Sequence, residues 1–163
     1  MDHPEPTLMA IYYFDSSAIT KRYIVESGTN WVRDLHVSNS TEAIHTTAIS
    51  RVEVASAITQ RRRARGISGS AWERSMTRLS ADFQHRYAVL AIEEEILDRA
   101  QLLVSTHPLR AYDAVQLATA LFVKKELLGV SLSGLIFVSA DNRLNEIAQI
   151  ESLTVENPNN YPD

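Results

Sequence analysis

Met9-Ala10-Ile11-Tyr12-Tyr13-Phe14-Asp15-Ser16-Ser17 is the stretch that decides the architecture of this chain. Its first six residues are apolar or aromatic, too short a run for a helix and too apolar for an exposed edge, so they read as a buried strand. Asp15-Ser16-Ser17 then turns the chain with side chains that accept backbone N–H bonds at a helix start. An acid is thereby placed where a buried strand gives way to a helix.

The same succession repeats on the C-terminal side. Helical stretches at about 17–25 and 29–37 lead to a short strand at Ala43 to Thr46. From Ala48 to Arg65 the spacing of Ile49, Val52, Ala55, Ala57 and Ile58 predicts an amphipathic helix that Gly66 ends. A helix over Ser70 to His85 precedes a strand at Tyr87 to Ile92. Glu93-Glu94-Glu95 then opens a helix whose positive end favours acids, and Pro108 closes that segment. Ala111 to Leu128 is the clearest helix, with apolar residues on more than one side. Leu135 to Val138 reads as a strand, Asp141 to Ile150 as a helix and Leu153 to Val155 as a last strand.

Strands separated by helices require crossover connections, which build a parallel sheet with helices on both faces. The expectation is an α/β fold around a mostly parallel sheet of four to five strands. We expect one domain over 1–163, with flexible tails at 1–8 and 157–163.

Composition narrows the chemistry. Hydrophobic residues make up 45% and charged residues 22% of the 163, a globular balance, and there is no cysteine. Disulfides, thiolate zinc sites and a cysteine nucleophile are excluded, and a cytoplasmic setting is expected. The polar, proline-containing Met1 to Leu8 lacks the apolar core of a secretory signal, and no later run is long enough to span a bilayer. A net charge of −4 argues against nucleic-acid binding by overall charge. Arg61-Arg62-Arg63-Ala64-Arg65 is the densest basic run, and it reads as a solvated helix end or as a phosphate contact.

In an open parallel sheet the site lies outside the carboxyl ends of the strands. Asp15 follows the first strand, Asp141 follows the Leu135–Val138 strand, and Glu53 and Asp113 sit early in helices facing the same edge. Each has an ordinary explanation. Asp15 and Asp141 suit N-caps, Ser50 with Glu53 matches a capping box, and Asp113 with Gln116 also resembles a cap. Four caps need not converge, however, whereas four ligands must, and acids gathered without a cation raise one another's pKa values. Hard oxygen donors suit Mg²⁺ or Mn²⁺, one or two ions, and magnesium typically meets a phosphate as its remaining ligand. His3, His36, His45, His85 and His107 show no metal-binding spacing.

The segments Tyr13-Phe14-Asp15-Ser16-Ser17-Ala18, Ser50-Arg51-Val52-Glu53, Leu109-Arg110-Ala111-Tyr112-Asp113-Ala114-Val115-Gln116-Leu117-Ala118-Thr119-Ala120 and Phe137-Val138-Ser139-Ala140-Asp141 resemble the PIN-domain nucleases, particularly the VapC-like toxins of bacterial toxin–antitoxin pairs. The resemblance covers nearly the whole chain. It implies a three-layer α/β/α sandwich, Mg²⁺- or Mn²⁺-dependent endoribonuclease activity, a cognate antitoxin and a homodimer.

Carried over by position, Asp15, Glu53, Asp113 and Asp141 match the acidic quartet, and Ser17 and Ser139 match the accompanying hydroxyls. Arg110 is a candidate substrate contact that could equally meet an antitoxin carboxylate or pair with a ligand acid. Lys21, Arg22, Arg51 and Arg143 are further candidates to meet substrate phosphates. Ile19, Tyr23, Ile24 and Trp31 could receive an antitoxin helix or simply fill the core.

Two rival readings stand beside this one. A strand ending in Asp also introduces haloacid-dehalogenase-like phosphatases, but position 17 is serine where that motif needs aspartate, and no lysine follows a late strand convincingly. The other rival is a PIN-like module that binds RNA or a protein without cutting.

Overall fold

Five strands form one sheet: β1 Ile11–Phe14, β2 Ile44–Thr47, β3 Ala88–Leu90, β4 Leu135–Val138 and β5 Thr154–Glu156. Their order is β3-β2-β1-β4-β5, and every neighbouring pair is parallel. The computed structural model describes residues 10–39, 44–127 and 134–162, so Met9, Ala43 and Leu128 of the expected elements lie outside the described residues. The helices are α1 Ser16–Thr20, α2 Thr29–Ser38, α3 Ser50–Arg63, α4 Gly69–His85, α5 Glu94–Thr106, α6 Ala111–Leu127 and α7 Asn142–Ile150.

The order of strands fixes where a site can form. The chain builds outward from β1 through β2 to β3, then returns to the other side of β1 with β4 and β5. The switch point therefore lies between β1 and β4, where a crevice opens at the carboxyl ends. Register places Phe14 opposite Val138, and the Asp15 N–H donates to the Val138 carbonyl at 3.1 Å. Asp15 and Ser139 consequently leave the sheet side by side.

Alternation along the strands separates two apolar layers. Tyr13 and Phe137 face a core with Ile96, Leu103, Leu117, Leu144 and Ile147, supplied by α5, α6 and α7. Phe14 and Val138 face the other side, against Ile19, Val32, Ile44, Val54, Ile58 and Leu79 from α1 to α4 and β2. Each fully buried aliphatic side chain contributes about 1.5–3 kcal/mol, which makes these layers the main source of stability. Tyr13 stacks on Phe137 at 5.8 Å between ring centres and pins β1 to β4 through side chains as well as backbone.

Several elements depart from the sequence reading. α1 stops at Thr20 rather than continuing to 25. The Tyr23 and Ile24 N–H groups both return to the Thr20 carbonyl, and Lys21 Nζ donates to the Ser27 carbonyl and Glu26, folding the chain back. Ile19, Tyr23 and Ile24 are buried in the second core, so they do not offer a docking face.

The segment expected as a flexible tail from 157 is instead packed. Asn157 caps a 3₁₀ turn at Pro158–Asn160, and Trp31 stacks on Tyr161 at 4.7 Å. Gly28 makes room for this turn, because a Cβ there would lie 2.2 Å from the Pro158 carbonyl oxygen, and its φ is +83°. Counting polar residues hid this packing, which depends on one proline and one tyrosine meeting α2.

Candidate active site

At the carboxyl end of β1, Asp15 is 3% exposed and surrounded by donors. Its Oδ1 accepts from the Ser17 hydroxyl at 2.7 Å and the Ala18 N–H at 2.9 Å, and its Oδ2 accepts from the Ser139 hydroxyl at 2.7 Å. The acid thus caps α1 and is also gripped from β4. Burial pushes its pKa up to about 6; the Ser139, Ala18 and Ser17 bonds pull the other way, and the Glu53 charge adds to the rise. Ser17 Oγ also accepts the Ala140 N–H at 2.9 Å, and Ser139 Oγ accepts the Asp141 N–H at 3.1 Å, so the two hydroxyls shape the loop after β4.

Glu53 occupies the first turn of α3. The capping box with Ser50 does not form: the helix starts after Ile49 with no side-chain cap. Glu53 Oε2 instead accepts from Gln116 Nε2 at 2.7 Å. Burial raises its pKa, bonds from Gln116 and Ser16 lower it, and the Asp113 charge raises it.

Asp113 stands in the first turn of α6. Burial raises its pKa, Asp141 raises it further, and Arg110 and Arg143 oppose both. Asp141 caps α7, its Oδ1 accepting from the Arg143 and Leu144 N–H groups at 2.9 and 3.1 Å. A cleft of about 60 Å³ holds Asp113 and Asp141 together with Arg110 and Arg143.

The four charges are coupled pairwise, Asp15 with Glu53, Glu53 with Asp113, and Asp113 with Asp141, and Asp15 and Asp141 follow the carboxyl ends of β1 and β4. Asp15 and Glu53 do not line the small cleft that Asp113 and Asp141 share. Among the described residues no group of three acidic or histidine side chains is close enough to hold one ion as the side chains stand. The donor set nevertheless suits a hard cation, being all oxygen, partly buried and mutually repulsive.

Of the cations expected near substrate, Arg110 and Arg143 line the cleft and Arg51 is exposed on α3. Lys21 and Arg22 are buried elsewhere, the first on Glu26 and Ser27, the second on Asp82.

Sequence reasoning treated Gln116 only as part of a cap, whereas the structure makes it a junction. Its Nε2 donates to Ser50 Oγ at 2.8 Å and to Glu53, while its Oε1 accepts from the Tyr13 hydroxyl at 2.8 Å. The available signal was a lone amide in the apolar run Ala114 to Ala120, because a buried polar group demands partners.

Comparison with known proteins comes down to family and fold. The PIN domain family model matches residues 12–150. A search of curated proteins finds no significant match to the sequence. Among solved structures, FitAcB from Neisseria gonorrhoeae aligns at 18% identity and a TM-score of 0.61, covering 91% of this chain and 98% of that one. VapBC2 from Rickettsia felis, bound to a DNA fragment from its promoter, aligns at 14% identity and 0.58, with 90% and 98% covered. A toxin–antitoxin complex from Klebsiella pneumoniae aligns at 16% identity and 0.58, with 90% and 97% covered.

Proposed function

The chain belongs to the PIN-domain family, and from that premise we propose that it is a divalent-metal-dependent endoribonuclease and the toxin of a toxin–antitoxin pair. The observation that carries the proposal is the pairwise coupling of the carboxylates from Asp15 to Asp141, with Asp15 and Asp141 following the two strands that flank the switch point. Asp15, Glu53 and Asp113, with Asp141 at the rim, would hold one or two Mg²⁺ or Mn²⁺ ions. When bound, such an ion supplies a polarised water and positive charge for the phosphodiester oxygens.

The chain's own groups have definable tasks. Ser17 and Ser139 fix both oxygens of Asp15, and Gln116 fixes one oxygen of Glu53. Arg110 and Arg143 flank Asp113 and Asp141, where they temper the negative field that a phosphate would meet. Single-stranded or looped RNA is the preferred substrate, because an acidic edge admits an unpaired backbone more readily than a duplex.

Likeness to FitAcB, VapBC2 and the Klebsiella complex supports an antitoxin partner for this chain, and we extend the same reading to a homodimer in the cytoplasm. No helix among the described residues is long and apolar enough to cross a membrane. The phosphatase rival needs a lysine near Asp15, yet Lys21, Lys124 and Lys125 are engaged with Glu26, the Ser152 carbonyl and Glu95. One observation favours a binding module that does not cut, namely the absence of a ready three-acid cluster among the described residues. Incubating the purified chain with RNA, with and without Mn²⁺, separates the two readings. Cutting that requires Mn²⁺ and disappears in Asp113→Asn supports the nuclease; cutting that ignores either change, or no cutting at all, rejects it.

A further inference from the structure

A second set of charges gathers away from the acids. Arg22 just beyond α1, Arg33 on α2, and Arg74 and Arg78 on α4 line one groove of about 500 Å³ with Tyr23 and Ser75. No carboxylate is among the described residues lining it. The adjoining groove of about 640 Å³ shares Arg22, Arg74 and Arg78 and adds Arg86, Glu73 and Asp82.

Asp82 is already occupied. It accepts from Arg22 at 2.7 and 3.3 Å and from the Tyr23 hydroxyl at 2.7 Å, with Arg86 at 3.4 Å. Among the described residues Arg33 donates to the Arg22 carbonyl at 3.4 Å and has no ion pair. Among the described residues Arg74 and Arg78 have neither an ion pair nor a hydrogen bond.

Arg74 and Arg78 stand one turn apart on α4, and like charges so placed weaken a helix unless an anion lies between them. Arg33 on α2 joins them in the groove, whereas Arg22 is already neutralised by Asp82, so three guanidinium groups there face one another without a carboxylate partner among the described residues. All the cations are arginine, whose planar fork offers paired N–H donors to phosphate oxygens.

We propose that this groove is a subsite for the phosphates of a single-stranded nucleic acid, separate from the acid edge. Its role as an anchor for substrate rests on the nuclease reading given above. Arg22 lies seven residues after Asp15, two beyond the end of α1, which bounds their separation at about 25 Å of chain, a span that a single strand of several nucleotides covers.

The test uses the full chain in EDTA and a 2′-O-methyl oligoribonucleotide, which resists hydrolysis, with binding followed by fluorescence anisotropy over a series of KCl concentrations. Arg74→Ala with Arg78→Ala should weaken binding on the order of tenfold and make the salt slope shallower by about 1.4, about 0.7 for each phosphate no longer neutralised. Lysine at both positions should restore most of the slope. Both residues are exposed, and thermal melting checks that the fold survives. If the double variant melts early, Arg33→Ala alone should lower the slope by about 0.7.

Unchanged affinity and slope overturn the proposal. So does loss of poly-glutamate binding with oligonucleotide binding intact, which would mark a site for an acidic peptide. A wild-type chain that fails to cut RNA but shows the slope change refutes the nuclease reading and leaves this site standing. Cutting with an unchanged KM in the double variant refutes the site and leaves the nuclease.

Discussion

Gln116 Nε2 donates to Glu53 Oε2 at 2.7 Å, and the same amide accepts from Tyr13 through its oxygen at 2.8 Å. The orientation of the amide is therefore determined: turned over, its oxygen would face the Glu53 carboxylate. A residue in the middle of α6 thus ties the acid of α3 to the strand that carries Asp15.

Removing that tie has a measurable cost. Gln116→Leu leaves the buried Tyr13 hydroxyl without its acceptor and should destabilise the fold by about 1–3 kcal/mol in urea denaturation. Tyr13→Phe in the same background should restore part of the loss. A double variant no more stable than Gln116→Leu alone would show that the two groups are not coupled.

Asp15 makes stability depend on pH with a definite sign. Its folded pKa of about 6 lies above its ordinary 3.8, so the folded chain holds more protons than the unfolded chain between those values. Stability attributable to this group therefore falls as pH rises through that window, by about 2–3 kcal/mol. Glu53 and Asp113, also raised, act in the same direction. Asp15→Asn should gain on the wild type between pH 4 and pH 7 in metal-free denaturation; a constant difference between the two would contradict the burial argument.

Asp82 has the opposite sign. Burial works to raise its pKa, but the bonds from Arg22 and Tyr23 outweigh it and hold the carboxyl below its ordinary value. The stability it contributes is present above the unfolded pKa and is lost as pH falls through the folded one. Asp82→Asn leaves Arg22 buried without its counter-charge and should cost about 3–5 kcal/mol at neutral pH, read by denaturation. A loss below about 1 kcal/mol would class the pair with exposed salt bridges.

Ser139 grips Asp15 from β4 and accepts the Asp141 N–H. Ser139→Ala removes a charge-assisted bond and should cost about 1.5–3 kcal/mol when Asp15 is ionised, and less once it is protonated. Equal losses at pH 4.5 and pH 7.5 would mean that the hydroxyl merely fills space.

Much of this arrangement was legible in the sequence, for physical reasons specific to each element. Met9 to Phe14 and Leu135 to Val138 are short apolar runs that only a buried parallel strand satisfies, so the sheet and the edge bearing Asp15 followed directly. The quartet was assigned to that edge because Asp15 and Asp141 follow strand ends and Glu53 and Asp113 stand early in helices. The capping alternatives were partly right, since Asp15 and Asp141 do cap α1 and α7.

What stayed hidden depends on side chains meeting across elements. Gln116 finding Tyr13 and Glu53, Lys21 turning inward, and Pro158 settling against Gly28 are pairings between distant parts of the chain or set by a single rotamer. Residue spacing carries no record of them. The same limit applies to the acids, whose approach to one another is pairwise and not a ready cluster.

Calorimetric titration of Mn²⁺ into the metal-free chain at pH 7.5 tests the shared-cation claim most directly. The account predicts saturable binding by the wild type, weakened at least tenfold by each of Asp15→Asn, Glu53→Gln and Asp113→Asn and unaffected by Asp98→Asn on the far surface of α5, a tenfold loss being about 1.4 kcal/mol. Binding of equal strength in all of these variants, or no binding by the wild type, would contradict it.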